Sequence, residues 1–182
     1  MEWNQWYQAY EAQWTVLQHF CLALVLGGII GFERELKKRP AGFRTHMLVA
    51  AMAALLTDIA TLMVQRVPTE VGLGDSILHV DPVRVIVAIA TGISFLGAGT
   101  IFRSADGVSG LTTAATLLMA AALGITVAVE QYVLAVGATL IVLLVVTACG
   151  ALEKRLSSDE TDASNLPLSS DDTRSSNTSE RS

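Results

Sequence analysis

Five long apolar runs constrain this chain more than any other feature of its sequence. They cover residues 16–32, 47–67, 83–102, 111–129 and 132–150, and Asp58 and Gln65-Arg66 interrupt the second. A helix needs roughly 17 to 25 apolar residues to cross a membrane. Hydrophobic residues make up 52% of the chain and aromatic residues only 6%. The sequence therefore predicts an all-α integral membrane protein with about five transmembrane helices.

The basic residues indicate the orientation, because Lys and Arg concentrate in cytoplasmic loops. Residues 1–15 contain neither, and the overall charge of −5 hides this segregation. The basic residues of the connection after the first run are Arg34, Lys37, Lys38, Arg39 and Arg44. Arg103 follows the third run, and Lys154-Arg155 follow the fifth. These clusters share one side if the N-terminus is outside and the C-terminus is cytoplasmic, which is the predicted orientation.

The composition changes at both ends of the apolar region. Residues 1–15 carry aromatic rings at helical spacing and predict a short helix at the outer membrane interface. Residues 16–155 form the predicted transmembrane domain. Residues 156–182 are acidic and Ser-rich without an aromatic residue, which is typical of a disordered cytoplasmic tail.

Residues 41–56 resemble residues 109–124 at a fixed offset of 68 (109 − 41). The informative matches are Gly42 with Gly110 and Thr45 with Thr113. In the predicted orientation, this pattern fits a parallel duplication of a helical hairpin. Chance similarity between two Ala-rich helices is the alternative.

Small residues also recur at helical spacing. Gly27 and Gly31 lie in the first run, and the segment GISFLGAGT, which contains Gly97 and Gly99, lies in the third. Such residues let helix backbones approach closely in lipid, so packing is the favoured interpretation. The alternative for the Gly-rich segment is a broken helix that lines a site.

The charges near the first connection suggest two different roles. A carboxylate directly after a span needs a partner, which Arg34 or Arg44 could supply, and we expect structured roles for Glu33, Arg34 and Arg44. Arg103 lies on the same side and is a further candidate partner. We interpret the remaining bases, Lys37, Lys38 and Arg39, as orientation signals that attract anionic lipids.

Further polar residues lie within or beside the later runs. Asp58 is well inside a span, which suggests ion or proton handling, a hydrated cavity or a protonated hydrogen-bonding role. Asp81 is a predicted helix cap before Pro82. Capping does not explain Arg84, so Asp81 and Arg84 could form an ion pair, or the site could bind a cation. Thr112 and Thr113 are expected to cap the fourth span.

No catalytic machinery is visible in the sequence. His19, His46 and His79 lack metal-ligand spacing, and no phosphate-binding loop or serine elbow is present. We therefore expect no enzyme activity and no cofactor, and the sequence assigns no metal ligands. His46 is interpreted as an interfacial surface residue. Cys21 and Cys149 are expected to be unbridged and buried.

Five segments in order carry a family resemblance: GGIIGFERE, RPAGFRTHMLV, DPVRV, GISFLGAGTIFR and GLTTAATLL. They resemble the membrane domain of the MgtC/SapB family of bacterial inner-membrane proteins over about residues 16–150. The positions that match the family motif are Gly31, Glu33, Arg34, Gly42, Arg44, Thr45, Asp81, Arg84, Gly97, Gly99, Gly110, Thr112 and Thr113. Ser94 and Leu118 depart from the family's usual Gly and Trp, and a polar tail replaces the folded C-terminal domain of longer members.

The resemblance implies a multi-pass inner-membrane protein involved in magnesium homeostasis, growth at low magnesium and, in pathogens, survival inside host cells. It also implies restraint of the F-type ATP synthase rather than transport of Mg²⁺. The leading hypothesis is therefore a regulator that contacts membrane lipids and a membrane protein partner, with a homo-oligomer as a further expectation and no nucleic-acid partner. The alternative is a transporter or channel for Mg²⁺ or protons.

Overall fold

The computed structural model describes residues 3–66, 81–105 and 107–164. The elements in chain order are α1 (Trp3–Leu36), α2 (Phe43–Arg66), α3 (Pro82–Ala98), β1 (Phe102–Ser104), β2 (Gly107–Ser109), α4 (Leu111–Ala128) and α5 (Tyr132–Ser164). The chain divides into two compact units, Met1–Leu144 and Val145–Ser182. The helix bundle described below belongs to the first unit.

The predicted class, an all-α membrane protein, is confirmed. Four helical segments of the described chain are long and apolar enough to span a membrane, and their bounds are Tyr10–Leu36, Phe43–Gln65, Leu111–Ala128 and Tyr132–Gly150. The apolar part of α3, Val83–Ala98, is shorter. The sequence alone does not distinguish this shorter helix from the other spans.

The third apolar run is longer than the helix that it forms. Helix α3 ends at Ala98, where the amides of Thr100 and Ile101 donate to the carbonyls of Gly97 and Ala98 at 2.9 and 3.1 Å. These bonds close a tight turn, after which β1 and β2 pair as antiparallel strands with Phe102 opposite Ser109. The run was therefore predicted four residues too long, since residues 99–102 lie in this turn and strand.

Helix α2 is central, since it contacts α1, α3 and α4. Its core positions Ala50, Ala53 and Ala54 are completely buried. A Cβ atom at Gly27 of α1 would lie 2.5 Å from the carbonyl oxygen of His46, and one at Gly124 of α4 would lie 2.0 Å from that of Ala50. The predicted close packing through small residues is confirmed at Gly27, whereas the contact at Gly124 was not predicted.

The two ends of the helical region extend beyond the predicted boundaries. Helix α1 runs without interruption from Trp3, so the aromatic segment continues into the first span as one helix. Its interfacial position stays a prediction. Helix α5 continues to Ser164, beyond the predicted start of the tail at residue 156. Residues 165–182 lie outside the described part of the chain.

The proposed internal repeat coincides with helix starts. Helix α2 begins at Phe43 and α4 at Leu111, which reproduces the offset of 68 (111 − 43). Gly42 and Gly110 therefore occupy equivalent positions before the two helices. A duplication of the hairpin stays a prediction.

Candidate functional site

Polar side chains are buried at both ends of the bundle. We call the end where α1 ends and α2 and α4 begin the Glu33 end. The opposite end, where α2 and α4 end and α5 begins, is the Tyr132 end.

At the Glu33 end, the carboxylate of Glu33 is buried beside two cations, Arg34 in α1 and Lys37 directly after the end of α1. Arg34 Nε lies 3.0 Å from Glu33 Oε2, and Lys37 Nζ contacts Oε1 from one helical turn further on. Glu33 and Arg34 are only 8% and 2% exposed. Neither Glu33 oxygen, nor Arg34 Nε, makes a well-directed hydrogen bond within the described residues. A buried ion pair without such bonds is costly, which marks this cluster as a functional candidate.

Of the candidate partners of Glu33, Arg34 contacts its carboxylate and Arg44 does not. Arg44 is exposed in the first turn of α2, and Lys37 contacts Glu33 instead. The reason is local geometry, since residues four apart on a helix are neighbours. Lys37 was interpreted only as an orientation signal, but it also pairs with the buried carboxylate of Glu33.

The start of α2 depends on a residue that the sequence analysis missed. Glu35 Oε2 accepts a hydrogen bond of 3.0 Å from the backbone amide of Phe43. A carboxylate at this position satisfies a free amide and complements the positive end of the helix dipole. The contact forms because the connection between α1 and α2 brings Phe43 back beside Glu35. The spacing of these residues in the sequence does not predict that approach.

His46 is completely buried, so its interpretation as a surface residue is wrong. Its Nδ1 lies 2.9 Å from the carbonyl oxygen of Gly42 and its Nε2 lies 3.1 Å from Thr116 Oγ1. Because a carbonyl only accepts, Nδ1 carries a proton and donates. Thr116 also lies 3.0 Å from the carbonyl oxygen of Thr113. His46 thus connects the AGFRTH segment of α2 to the GLTTAAT segment of α4.

The predicted capping of α4 by Thr112 and Thr113 is wrong. The cap is Gly110, at φ +91°, and it forms no side-chain hydrogen bond. A Cβ atom at this position would lie 1.9 Å from the carbonyl oxygen of Thr100, so the close approach requires glycine. Thr113 is buried, whereas Thr112 is exposed.

At the Tyr132 end, a histidine joins side chains from three helices. His19 Nδ1 on α1 lies 3.1 and 3.2 Å from the carboxylate oxygens of Asp58 on α2. His19 Nε2 lies 2.8 Å from the hydroxyl oxygen of Tyr132 on α5. His19 and Asp58 are 3% and 6% exposed. We call these three residues the His19 triad.

Asp58 stands out in the sequence as an acid inside an apolar run, but its partners do not. Thr57 and Thr61, the polar neighbours of Asp58 in sequence, donate to the carbonyls of Ala53 and Thr57 in their own helix. His19 lies 39 positions from Asp58 and Tyr132 lies 113 positions from His19. The one sequence signal for this contact is that His19 is a polar residue within an apolar run, so its side chain needs a hydrogen-bond partner.

A glycine-alanine zone separates the two ends. It comprises Gly27, Ala50, Ala53, Ala54 and Gly124, with the three alanines completely buried and both glycines in backbone contact with α2. Helices in this zone are too close to leave room for additional side chains.

Comparison with known proteins identifies the family. The model of the MgtC family matches residues 20–155. The chain belongs to the MgtC family. Protein MgtC of Brucella abortus (strain 2308) is 45% identical over 116 residues, which cover 62% of this chain and 43% of that protein. No solved structure matches the chain.

Two further relatives of this MgtC-family chain carry different names. The putative magnesium transporter YhiD of Escherichia coli (strain K12) is 34% identical over 139 residues, 74% of this chain and 60% of that protein. Protein SapB of Bacillus subtilis (strain 168) is 34% identical over 130 residues, 71% of this chain and 54% of that protein. The chain spans about half the length of the curated relatives that it matches.

The remaining motif residues of this MgtC-family membrane protein are dispersed. Asp81 caps α3 as predicted, since its Oδ1 accepts from the amide of Val83 at 2.9 Å. Within the described residues, the side chains of Asp81 and Arg84 form no ion pair. Arg84 borders an apolar groove between α2 and α3. Arg103 is exposed in β1, and within the described residues it forms no ion pair with Glu33.

The glycines and threonines of the motif divide into buried and exposed positions. Gly31 packs against Phe43 and His46, and Gly97 packs against Ala114. Thr45 is exposed, and Gly99 forms the cap at the end of α3.

Cys21 and Cys149 are free, as predicted, but exposed rather than buried, because each lies on an outward helix face. Within the described part of the chain, no three His, Cys, Asp or Glu residues form a metal-binding group.

Proposed function

We propose that this chain is a multi-pass protein of the bacterial inner membrane that acts in magnesium homeostasis by regulating other membrane complexes. Membership in the MgtC family and the printed name of the relative YhiD support the link to magnesium. The partner that the family resemblance implies is the F-type ATP synthase.

The observation that carries the regulatory role is the glycine-alanine zone between the two polar ends. Among the described residues, the buried charges lie in the Glu33 pairs and the His19 triad. Between these two clusters, α2 contacts α1 and α4 through backbone and alanine side chains. Close packing of this kind favours a rigid bundle with separate polar ends over a continuous polar path for ions.

The outer surface of the bundle supports association with other membrane proteins. Helix α5 buries Ala135 and Thr139 within the first unit, whereas Val133, Leu134, Leu140 and Ile141 are largely exposed. Helices in lipid associate through packing of such apolar faces. The same faces suit a homo-oligomer, and the exposed bases Lys38, Arg39 and Arg44 suit anionic lipid headgroups.

Transport of Mg²⁺ or protons is the second candidate function. A buried carboxylate inside a span, Asp58, is the observation that favours it, because such groups often mark ion pathways. The relative YhiD is itself named as a putative magnesium transporter.

Liposomes loaded with a magnesium-sensitive dye distinguish the two functions. Under the regulatory role, the purified protein produces no Mg²⁺ flux above that of empty liposomes. Flux that the Asp58→Asn substitution abolishes would establish transport instead.

A second experiment measures regulation of the F-type ATP synthase directly. Inverted membrane vesicles from cells that overproduce the protein should show weaker ATP-driven proton pumping than vesicles from cells with the empty vector. The Lys38→Ala variant is the matched control, since Lys38 is exposed and should retain the effect. Unchanged pumping, together with recovery of no membrane partner on purification, would contradict the regulatory role.

A further inference from the structure

The His19 triad has a property that ordinary structural hydrogen bonds lack. A neutral His19 donates from Nδ1 to Asp58, and the Tyr132 hydroxyl then donates to Nε2. A protonated His19 still donates to Asp58 and now donates from Nε2 to the Tyr132 oxygen. A phenolic hydroxyl can be either donor or acceptor, so both protonation states keep every hydrogen bond.

The triad also has the charge needed to hold an added proton. Because His19 is almost completely buried, an isolated imidazolium would be costly there. The carboxylate at 3.1 Å compensates that charge, and the resulting charged hydrogen bonds are stronger than neutral ones.

Tyr132 connects this buried pair to the surface of the helix bundle. It is the first residue of α5 and is 42% exposed. The turn before it is fixed by hydrogen bonds from the amides of Glu130 and Gln131 to the carbonyls of Val127 and Thr126, at 2.9 and 3.0 Å. Glu130 adopts φ +61°, the left-handed conformation that ends many helices.

We propose that His19, Asp58 and Tyr132 form a proton-binding site that exchanges protons with the aqueous phase at the Tyr132 end of the bundle. Within the described residues, Asp58 of α2 and Tyr132 of α5 are the titratable groups that contact His19. Glu130, in the turn between α4 and α5, interacts electrostatically with both. Helix α4 contains no titratable side chain.

Proton binding at this site also strengthens the attachment of α5. Near its start, α5 packs through Ala135 against Leu26 and Val127, a small apolar cluster. Protonation converts the bond between His19 and Asp58 into an ion pair and makes the bond to Tyr132 charge-assisted. Occupancy of the site therefore changes how firmly the first turns of α5 are held.

Nitrogen-15 NMR of the full chain in nanodiscs, labelled at histidine, tests the site. The His19 signal should change from neutral to protonated as the pH of the buffer is lowered, which shows that the site takes up a proton. His46 is the internal control, because it is equally buried but contacts a carbonyl and a threonine, and it should stay neutral. His79→Gln removes the third signal and Thr116→Val shifts that of His46, which assigns His19 without altering its partners.

Two variants test the roles of the partners. Asp58→Asn keeps the shape and an acceptor but removes the charge, so the ratio of protonated to neutral His19 at a given pH should fall at least about tenfold. Tyr132→Phe removes one hydrogen bond and should reduce that ratio less, by about threefold. A His19 that does not titrate in the unmodified triad, or that titrates identically in correctly folded Asp58→Asn protein, would overturn the proposal.

Discussion

At the scale of single residues, the buried charges of this protein depend on their immediate neighbours. Glu33 and Arg34 are adjacent in sequence and both are almost completely buried, so each charge compensates the other. Removing one partner of such a pair leaves an uncompensated buried charge, which costs more than the intact pair contributes. Glu33 and Arg34 could be recognised from the sequence as candidate site residues because they follow an apolar run directly.

Glu33→Gln should therefore destabilise the protein by about 3 kcal/mol, since it leaves the buried Arg34 without its anion. Thermal unfolding in detergent micelles measures the change. Lys38→Ala, a substitution of an exposed base in the same connection, should alter stability by less than about 0.5 kcal/mol. Equal effects of the two substitutions would show that Glu33 has no structured role.

At the scale of helices, close backbone contact holds α2 between its neighbours. Gly124 of α4 lies against the carbonyl of Ala50, whereas a Cβ atom at Gly137 of α5 would meet nothing within 4 Å. The motif of small residues in α1 could be recognised from sequence. Gly124 could not, because one glycine in an Ala-rich helix has no distinguishing pattern.

Gly124→Ala and Gly137→Ala should have opposite effects on stability. The first forces a methyl group into the contact with α2 and should destabilise the protein by about 2 kcal/mol. The second adds a better helix former in open space and should be neutral or stabilising by up to about 1 kcal/mol. Thermal unfolding of both variants under identical conditions measures the difference, and a destabilised Gly137→Ala protein would contradict this account.

At the scale of the whole molecule, the Glu33 end and the Tyr132 end lie at opposite ends of the helix bundle, so we expect them on opposite sides of the membrane. The basic connection after α1 lies at the Glu33 end, so the rule that basic loops are cytoplasmic predicts that the Tyr132 end is outside. The His19 triad would then exchange protons with the outer aqueous phase.

Cysteine labelling tests this orientation in a background in which Cys21 and Cys149 are replaced by alanine. A membrane-impermeant maleimide applied to intact spheroplasts should label Gln131→Cys and leave Arg39→Cys unlabelled until the membrane is permeabilised. Both positions are exposed in the structure. The reverse labelling pattern would invert the predicted orientation.

The amino-acid sequence by itself determined the class of protein and the starts of α3, α4 and α5. Long apolar runs can only be accommodated as helices in lipid, and Asp81 marks the start of α3 through its capping carboxylate. Tertiary structure alone decided the partners of the buried polar groups. His19 meets Asp58 and Tyr132, and His46 meets Thr116, because helix packing brings together residues far apart in the chain.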